Sequence, residues 1–200
     1  SKDGQVVVFH DDTLDRVCGV KGRVDAYTLE QLQQMRLCKT EERIPLFAEV
    51  LRTVAGRVPL IVELKSGPRN EQLCRLGWEL LKNYQGDFCI ESFDPRIVGW
   101  FRKNVPQVLR GQLAQRPRSY NTLPAPMGLF LGWTLANFIG RPQFIAYQNR
   151  PRPRTVRLVS LLGAGKVVWT VRDEADRPRV EGENEMVIFE FYRPAPKFKQ

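Results

Sequence analysis

From residue 60 onward, short apolar runs alternate with segments whose apolar residues recur every three or four positions. The runs at 60–65, 88–93, 108–113, 144–147, 167–171 and 186–191 are rich in aliphatic, β-branched and aromatic residues, and they predict six strands. The first of them stops at the turn signal Ser66-Gly67-Pro68. Segment 70–84 carries Leu73, Leu76, Leu80 and Leu81 at helical steps ahead of Gly86, which predicts an amphipathic helix. Asp94-Pro95 sets a capping carboxylate before a proline at the first helical position, so a helix should run from there to about Asn104, short of Pro106. Apolar segment 127–139 and segment 155–163 predict two further helices, separated from their neighbours by a proline-rich loop at 116–126 and a charged loop at 173–185. Upstream, 5–10 reads as a strand ending at His10, and 12–25, with Gly19 and Gly22, as a loop. Thr28 is placed to cap a short helix with Gln31 three residues on, and 47–55 completes the helices, with Leu46, Val50, Leu51 and Val54 to one side.

Strand, helix, strand, helix, repeated to the end, implies parallel strands joined by helical crossovers. An open doubly wound sheet would carry a glycine-rich phosphate loop after its first strand, and neither GxGxxG nor GxxxxGK(S/T) occurs. The expected fold class is therefore α/β in one domain over 1–200, a (β/α)8 barrel or, as the alternative, an open sheet. A closed barrel takes about 250 residues, about one strand–helix–strand piece more than this chain of 200.

Composition narrows the partners. A net charge of +9 and a pI near 9.7 favour anionic ligands. The local cluster of arginines at 150–157 reads as a solvated loop and helix start, and the scatter of the rest argues against nucleic acid as a partner. No run approaches the eighteen or so apolar residues of a membrane span. Cys18, Cys38, Cys74 and Cys89 form no CxxC pair and no zinc spacing, which suits free thiols in a reducing cytoplasm.

Two places carry candidate chemistry. Side chains alternate along a strand, so Ile61, Glu63 and Lys65 share a face, and a carboxylate and an ammonium project together from a greasy strand. Burying either is costly unless it is paired or binds an ion. The pair is thus either a strand-end ion pair or a metal ligand beside a phosphate-binding lysine. His10, the single histidine, lies at a predicted strand end before Asp11-Asp12 and is the side chain suited to proton transfer near neutral pH.

Together these residues resemble a known family. The stretch from Asp3 to Arg16, with Val6-Val7-Val8-Phe9-His10-Asp11, is similar to the DG-x-VVV-x-HD-x-x-L-x-R block of the glycerophosphodiester phosphodiesterases. Ile44-Pro45-Leu46-Phe47-Ala48-Glu49-Val50-Leu51, Ile61-Val62-Glu63-Leu64-Lys65, Ser92-Phe93-Asp94 and Trp169-Thr170-Val171 resemble further blocks of that family, in the same order. The resemblance implies a TIM barrel that hydrolyses glycerophosphodiesters to an alcohol and glycerol 3-phosphate in lipid metabolism, using a divalent cation, Ca or Mg. It implies that His10 is a catalytic acid/base, Glu63 a metal ligand and Lys65 a contact to the substrate phosphate. Trp169 would line the substrate site, or else simply pack in the core. Glu91, Gln112 and Glu190 fall at predicted strand ends and could reach the site. The family also opens with an HRG strand and an E-x-D strand, absent here, so the resemblance implies a (β/α)8 TIM barrel lacking its first strand and most of its second, a fragment short of roughly fifty residues and poorly active alone. The alternative is a non-catalytic barrel that binds phosphate or a lipid headgroup.

Overall fold

The computed structural model describes residues 1–183 and 186–194. The chain divides into two compact units, one of residues 1–60 with 67–88, the other of 61–66 with 89–200.

In the first unit lie α1 (Asp15–Cys18), α2 (Leu29–Gln33), α3 (Phe47–Val54) and α4 (Asn70–Leu81), of which α2, α3 and α4 follow the helical spacing closely. Thr28 caps α2 as expected: its hydroxyl accepts from the Gln31 amide, and the Gln31 side chain returns a bond to the Thr28 amide. Leu14, Leu32 and Ile44 form a fully buried cluster, with Val7 and Phe9 packed on it. The predicted strand at 5–10 does not join a sheet. Its middle pairs antiparallel with 45–47, through Val8 N–H to Pro45 C=O (3.0 Å) and Phe47 N–H to Val6 C=O (2.8 Å), around one Val7–Leu46 bridge. The alternation is right, but a strand also needs a neighbour along its whole length, and here it finds only three residues. The expected loop at 12–25 contains α1, which ends at Gly19 in the left-handed region.

The second unit is built on a sheet of β1 (Leu60–Glu63), β2 (Phe88–Ser92), β3 (Arg110–Ala114), β4 (Phe144–Gln148), β5 (Gly165–Val171) and β6 (Met186–Phe189). Their order in the sheet is their order in the chain, and the pairs from β2 to β6 are parallel. Leu60 N–H bonds Asp87 C=O and Leu64 N–H bonds Glu91 C=O, both at 2.9 Å, so β1 advances in step with β2 and is parallel too. A doubly wound sheet reverses its order at a switch point, whereas a barrel adds each strand beside the last. The sequential order is the barrel's.

Residues alternate between two faces. Ala114, Ile145 and Tyr147 bury one face under Val156 of α8 (Arg154–Leu161). On the other, Leu113, Phe144, Ala146 and Val167 pack with Cys89, Phe93, Trp169 and Ile188. Gly111 is required there, because a Cβ would lie 2.1 Å from the Phe144 ring. After β2, α5 (Pro95–Asn104) starts where Asp94 dictates: the carboxylate accepts from the Arg96 amide at 2.9 Å and from its guanidinium at 2.7 Å. Asp94→Ala should cost about 1–2 kcal/mol, read as a lower urea midpoint at unchanged slope; an unchanged midpoint would contradict this cap.

One predicted helix divides. Segment 127–139 becomes α6 (Ala125–Gly132) and α7 (Asn137–Gly140), because the chain turns at Thr134, which takes φ of 56°. The charged loop at 173–185 holds α9 (Arg177–Glu183).

Candidate active site

The site grows from the β1–β2 pairing. Leu64 bonding to the Glu91 carbonyl sets Leu64 alongside Ser92, and so sets Glu63 alongside Glu91 on the same face. The Ser92 hydroxyl fastens the register by donating to the Leu64 carbonyl at 2.7 Å. Glu91 in turn sits beside Gly111, and Gly111 beside Phe144. Two carboxylates therefore stand side by side on neighbouring strands, about 5 Å apart at the backbone, near the strands' C-terminal ends, with an aromatic ring beyond them.

Lys65, one turn of the pleat beyond Glu63, brings its Nζ to 2.7 Å from Glu63 Oε1. The approach is ionic and lacks hydrogen-bond geometry, since that buried oxygen has no hydrogen-bond partner. Glu91 is more extreme: it is 5% exposed, and its buried Oε2 likewise has none. Burial pushes the Glu91 carboxyl up to about 7, the Glu63 charge adds to the rise, and Lys65 opposes it. Cys89 shares the face but is no nucleophile, because burial and the Glu91 charge raise its thiol to about 11.

Trp169 takes its place on the same face of the second unit. Its Nε1–H donates to the Ala146 carbonyl at 2.9 Å, and the Phe93 ring meets it edge-on at 5.6 Å. Tyr120 continues the aromatic row against Phe93 at 6.4 Å. Two residues predicted to reach the site have other partners. Gln112 lies on the opposite face from Glu91, and its side-chain amide is spent on the Ser92 and Phe93 carbonyls at 3.0 and 3.1 Å; a one-residue step in a strand reverses the face. Glu190 pairs with Arg172 at 3.0 Å.

His10 belongs to the first unit. Its exposed ring places Nδ1 2.6 Å from Asp11 Oδ1. Arg16 grips the same carboxylate at 2.7 and 2.8 Å and holds it down at about 2, so Asp11 stays an anion against the imidazole. That carboxylate–imidazole arrangement is the one that orients a proton-transfer histidine.

The buried oxygens suit a hard divalent cation, which takes carboxylate oxygens and completes its shell with water and substrate phosphate. Among the described residues no group of three or more His, Cys, Asp or Glu comes together, so Glu63 and Glu91 would supply only part of such a shell.

Comparison with known proteins decides the family. The pattern of the Glycerophosphoryl diester phosphodiesterase family matches residues 1–191. The chain belongs to that family. A glycerophosphodiester phosphodiesterase of Caldanaerobacter subterraneus is 35% identical over 192 residues, 90% of this chain and 74% of that protein. The YhdW protein of Bacillus subtilis is 32% identical over 116 residues, and there the match spans only 54% of this chain and 48% of the relative. In fold, the chain is similar to an Oleispira antarctica phosphodiesterase solved with sn-glycerol-3-phosphate, at a TM-score of 0.77 and 19% identity, covering 94% of this chain and 77% of that one. Glu63 and Lys65, singled out in the sequence, stand together here, and of the three strand-end candidates Glu91, Gln112 and Glu190 the fold sets the buried Glu91 beside them. The signal for Glu91 was its position, one residue before Ser92 as Glu63 is one before Leu64, and its significance rests on register.

Proposed function

We propose that this protein hydrolyses glycerophosphodiesters to an alcohol and glycerol 3-phosphate, with a divalent cation, Ca or Mg, in lipid metabolism. The observation that carries this reading is the Glu63–Lys65–Glu91 cluster near the C-terminal ends of adjacent parallel strands, where barrel enzymes keep their chemistry. Glu63 and Glu91 would hold the cation through their buried oxygens. When bound, the cation supplies positive charge that makes a phosphodiester susceptible to attack. Lys65 adds a second positive charge on the phosphate, and Glu63 keeps its ammonium aimed. Trp169 and Phe93 offer the glycerol or headgroup an apolar wall. His10, held against Asp11 in the first unit, would serve as a general acid or base, the role the resemblance implies for it. Four free cysteines suit a reducing cytoplasm.

A second reading is a barrel that binds the phosphate or headgroup without turnover. It is favoured by one observation: Lys65 already occupies a Glu63 oxygen that a cation would use. One assay separates the two. The protein is incubated with glycerophosphocholine, glycerophosphoethanolamine and glycerophosphoinositol, with Mg or Ca or with chelator, and glycerol 3-phosphate is measured. Chelator-sensitive release supports the enzyme; binding without release supports the second reading and overturns the first.

A further inference from the structure

The face of the second unit around α6 and α7 has no part in the chemistry above. Helix α6 is inverted in its packing. Its contact with the protein is made by Gly128 and Gly132, which lie so close to Pro117 that a Cβ would come within 2.9 and 2.7 Å of it. The small residues face in, and the large apolar ones face out. Met127, Leu129, Phe130, Trp133, Leu135 and Phe138 are all between 36% and 68% exposed. The segment is nevertheless well anchored. The Tyr147 hydroxyl donates to the Gly132 carbonyl at 3.1 Å, Thr155 donates to the Trp133 carbonyl, and Arg102 donates to the Phe138 and Ile139 carbonyls at 3.0 Å. Six large apolar side chains held in water on a fixed backbone mark an interaction surface.

Charge says what meets it. Between Asp94 and Asp173 there is no Asp or Glu, while thirteen Arg and Lys fall in that interval. The rest of the chain is net acidic, so the whole of the +9 originates here. Around the apolar segment lie exposed Arg116 and Arg118 before it, Arg141 after it, and Arg102 on its carbonyls. A second copy of the chain packed face to face would set arginine against arginine with no acid to relieve it. A nucleic acid would meet aliphatic Met127, Leu129 and Leu135 where it needs stacking planes and cations. Lipid headgroups of negative charge over an acyl boundary satisfy both the centre and the rim.

We propose that this α6–α7 face docks the protein onto an anionic phospholipid bilayer surface, with Met127, Leu129, Phe130, Trp133 and Phe138 entering the interface and the flanking arginines on the headgroups. The proposal is independent of the reaction assigned to Glu63. The full chain is sedimented with vesicles of phosphatidylcholine alone and of phosphatidylcholine with phosphatidylglycerol, at low and high salt. Binding should require the anionic lipid and weaken with salt. Because Leu129 and Phe138 are exposed, Leu129→Ser with Phe138→Ser should fold normally by circular dichroism and bind roughly a hundredfold more weakly, about tenfold per side chain. Arg118→Gln should weaken binding by about fivefold. Equal binding to neutral vesicles, no binding to either kind, or double-variant binding equal to the wild type would each overturn the proposal. So would a wild-type dimer on size exclusion that the double variant abolishes, which would assign the face to a second copy.

Discussion

Glu63→Gln lowers kcat/KM for glycerophosphodiesters by roughly a thousandfold, about 4 kcal/mol of transition-state stabilisation. The substitution preserves shape and removes charge. A neutral amide is a weak ligand for a hard cation, and the Lys65 ammonium loses the partner that lies 2.7 Å away. Lys65 keeps its own charge, so ground-state attraction for the phosphate remains and the loss falls on kcat more than on KM. Raising the cation concentration should recover part of the activity. Glu190→Gln is the control, because Glu190 sits in a half-exposed pair with Arg172, and such pairs contribute about 0–1 kcal/mol; its activity should stay within about twofold of the wild type. Turnover of Glu63→Gln within about tenfold of the wild type would remove Glu63 from the machinery.

The second large effect concerns stability. The Glu91 carboxyl is raised from 4.5 to about 7 in the folded protein, first by burial and then by the Glu63 charge. Between those two values the folded chain holds a proton that the unfolded chain has released. Stability therefore falls as pH rises through this window and levels off above it, by about 3 kcal/mol in all. Gln cannot ionise, so Glu91→Gln should lose this slope. Whatever constant cost the buried amide brings, the gap between variant and wild type should move in the variant's favour by about 3 kcal/mol from pH 4.5 to pH 8, or roughly 6–12 °C in Tm. The comparison is made in chelator, since a cation near the two carboxylates would compete with the proton. Parallel pH profiles for the two proteins would contradict a buried, unpaired carboxyl at this position.

Chelator-sensitive turnover, the Asp94 cap and vesicle binding test separate parts of the molecule, so failure of one leaves the others standing. If turnover fails while binding survives, the Glu63–Lys65 pair is a recognition element, and the lipid-facing surface keeps its own test.

Local signals account for much of this protein. The Asp94-Pro95 start and the Thr28 capping box need only a few neighbouring residues, and they formed as read. The six strands of the sheet were legible because β-branched and aliphatic runs between turn signals have few other uses, with β3 displaced slightly to Arg110–Ala114. A period of two put Glu63 and Lys65 on one face, and their ion pair follows from it. Where a property depends on a partner far along the chain, the linear pattern was silent or misleading. Segment 5–10 alternates as a strand does, yet it found only 45–47 to pair with. Apolar segment 127–139 has no polar face to orient it, so its packing came from close approaches elsewhere in the chain: Gly128 and Gly132 of α6 lie against Pro117, and Gly140 of α7 lies against Val98 of α5. Gln112 and Glu91 both lay near strand ends and looked equivalent. Register separated them, sending Gln112 to the backbone carbonyls on one face and burying Glu91 beside Glu63 on the other. Periodicity fixes which residues share a face, but the neighbour across a strand is chosen by hydrogen bonds between residues some thirty positions apart, such as Leu64 and Glu91.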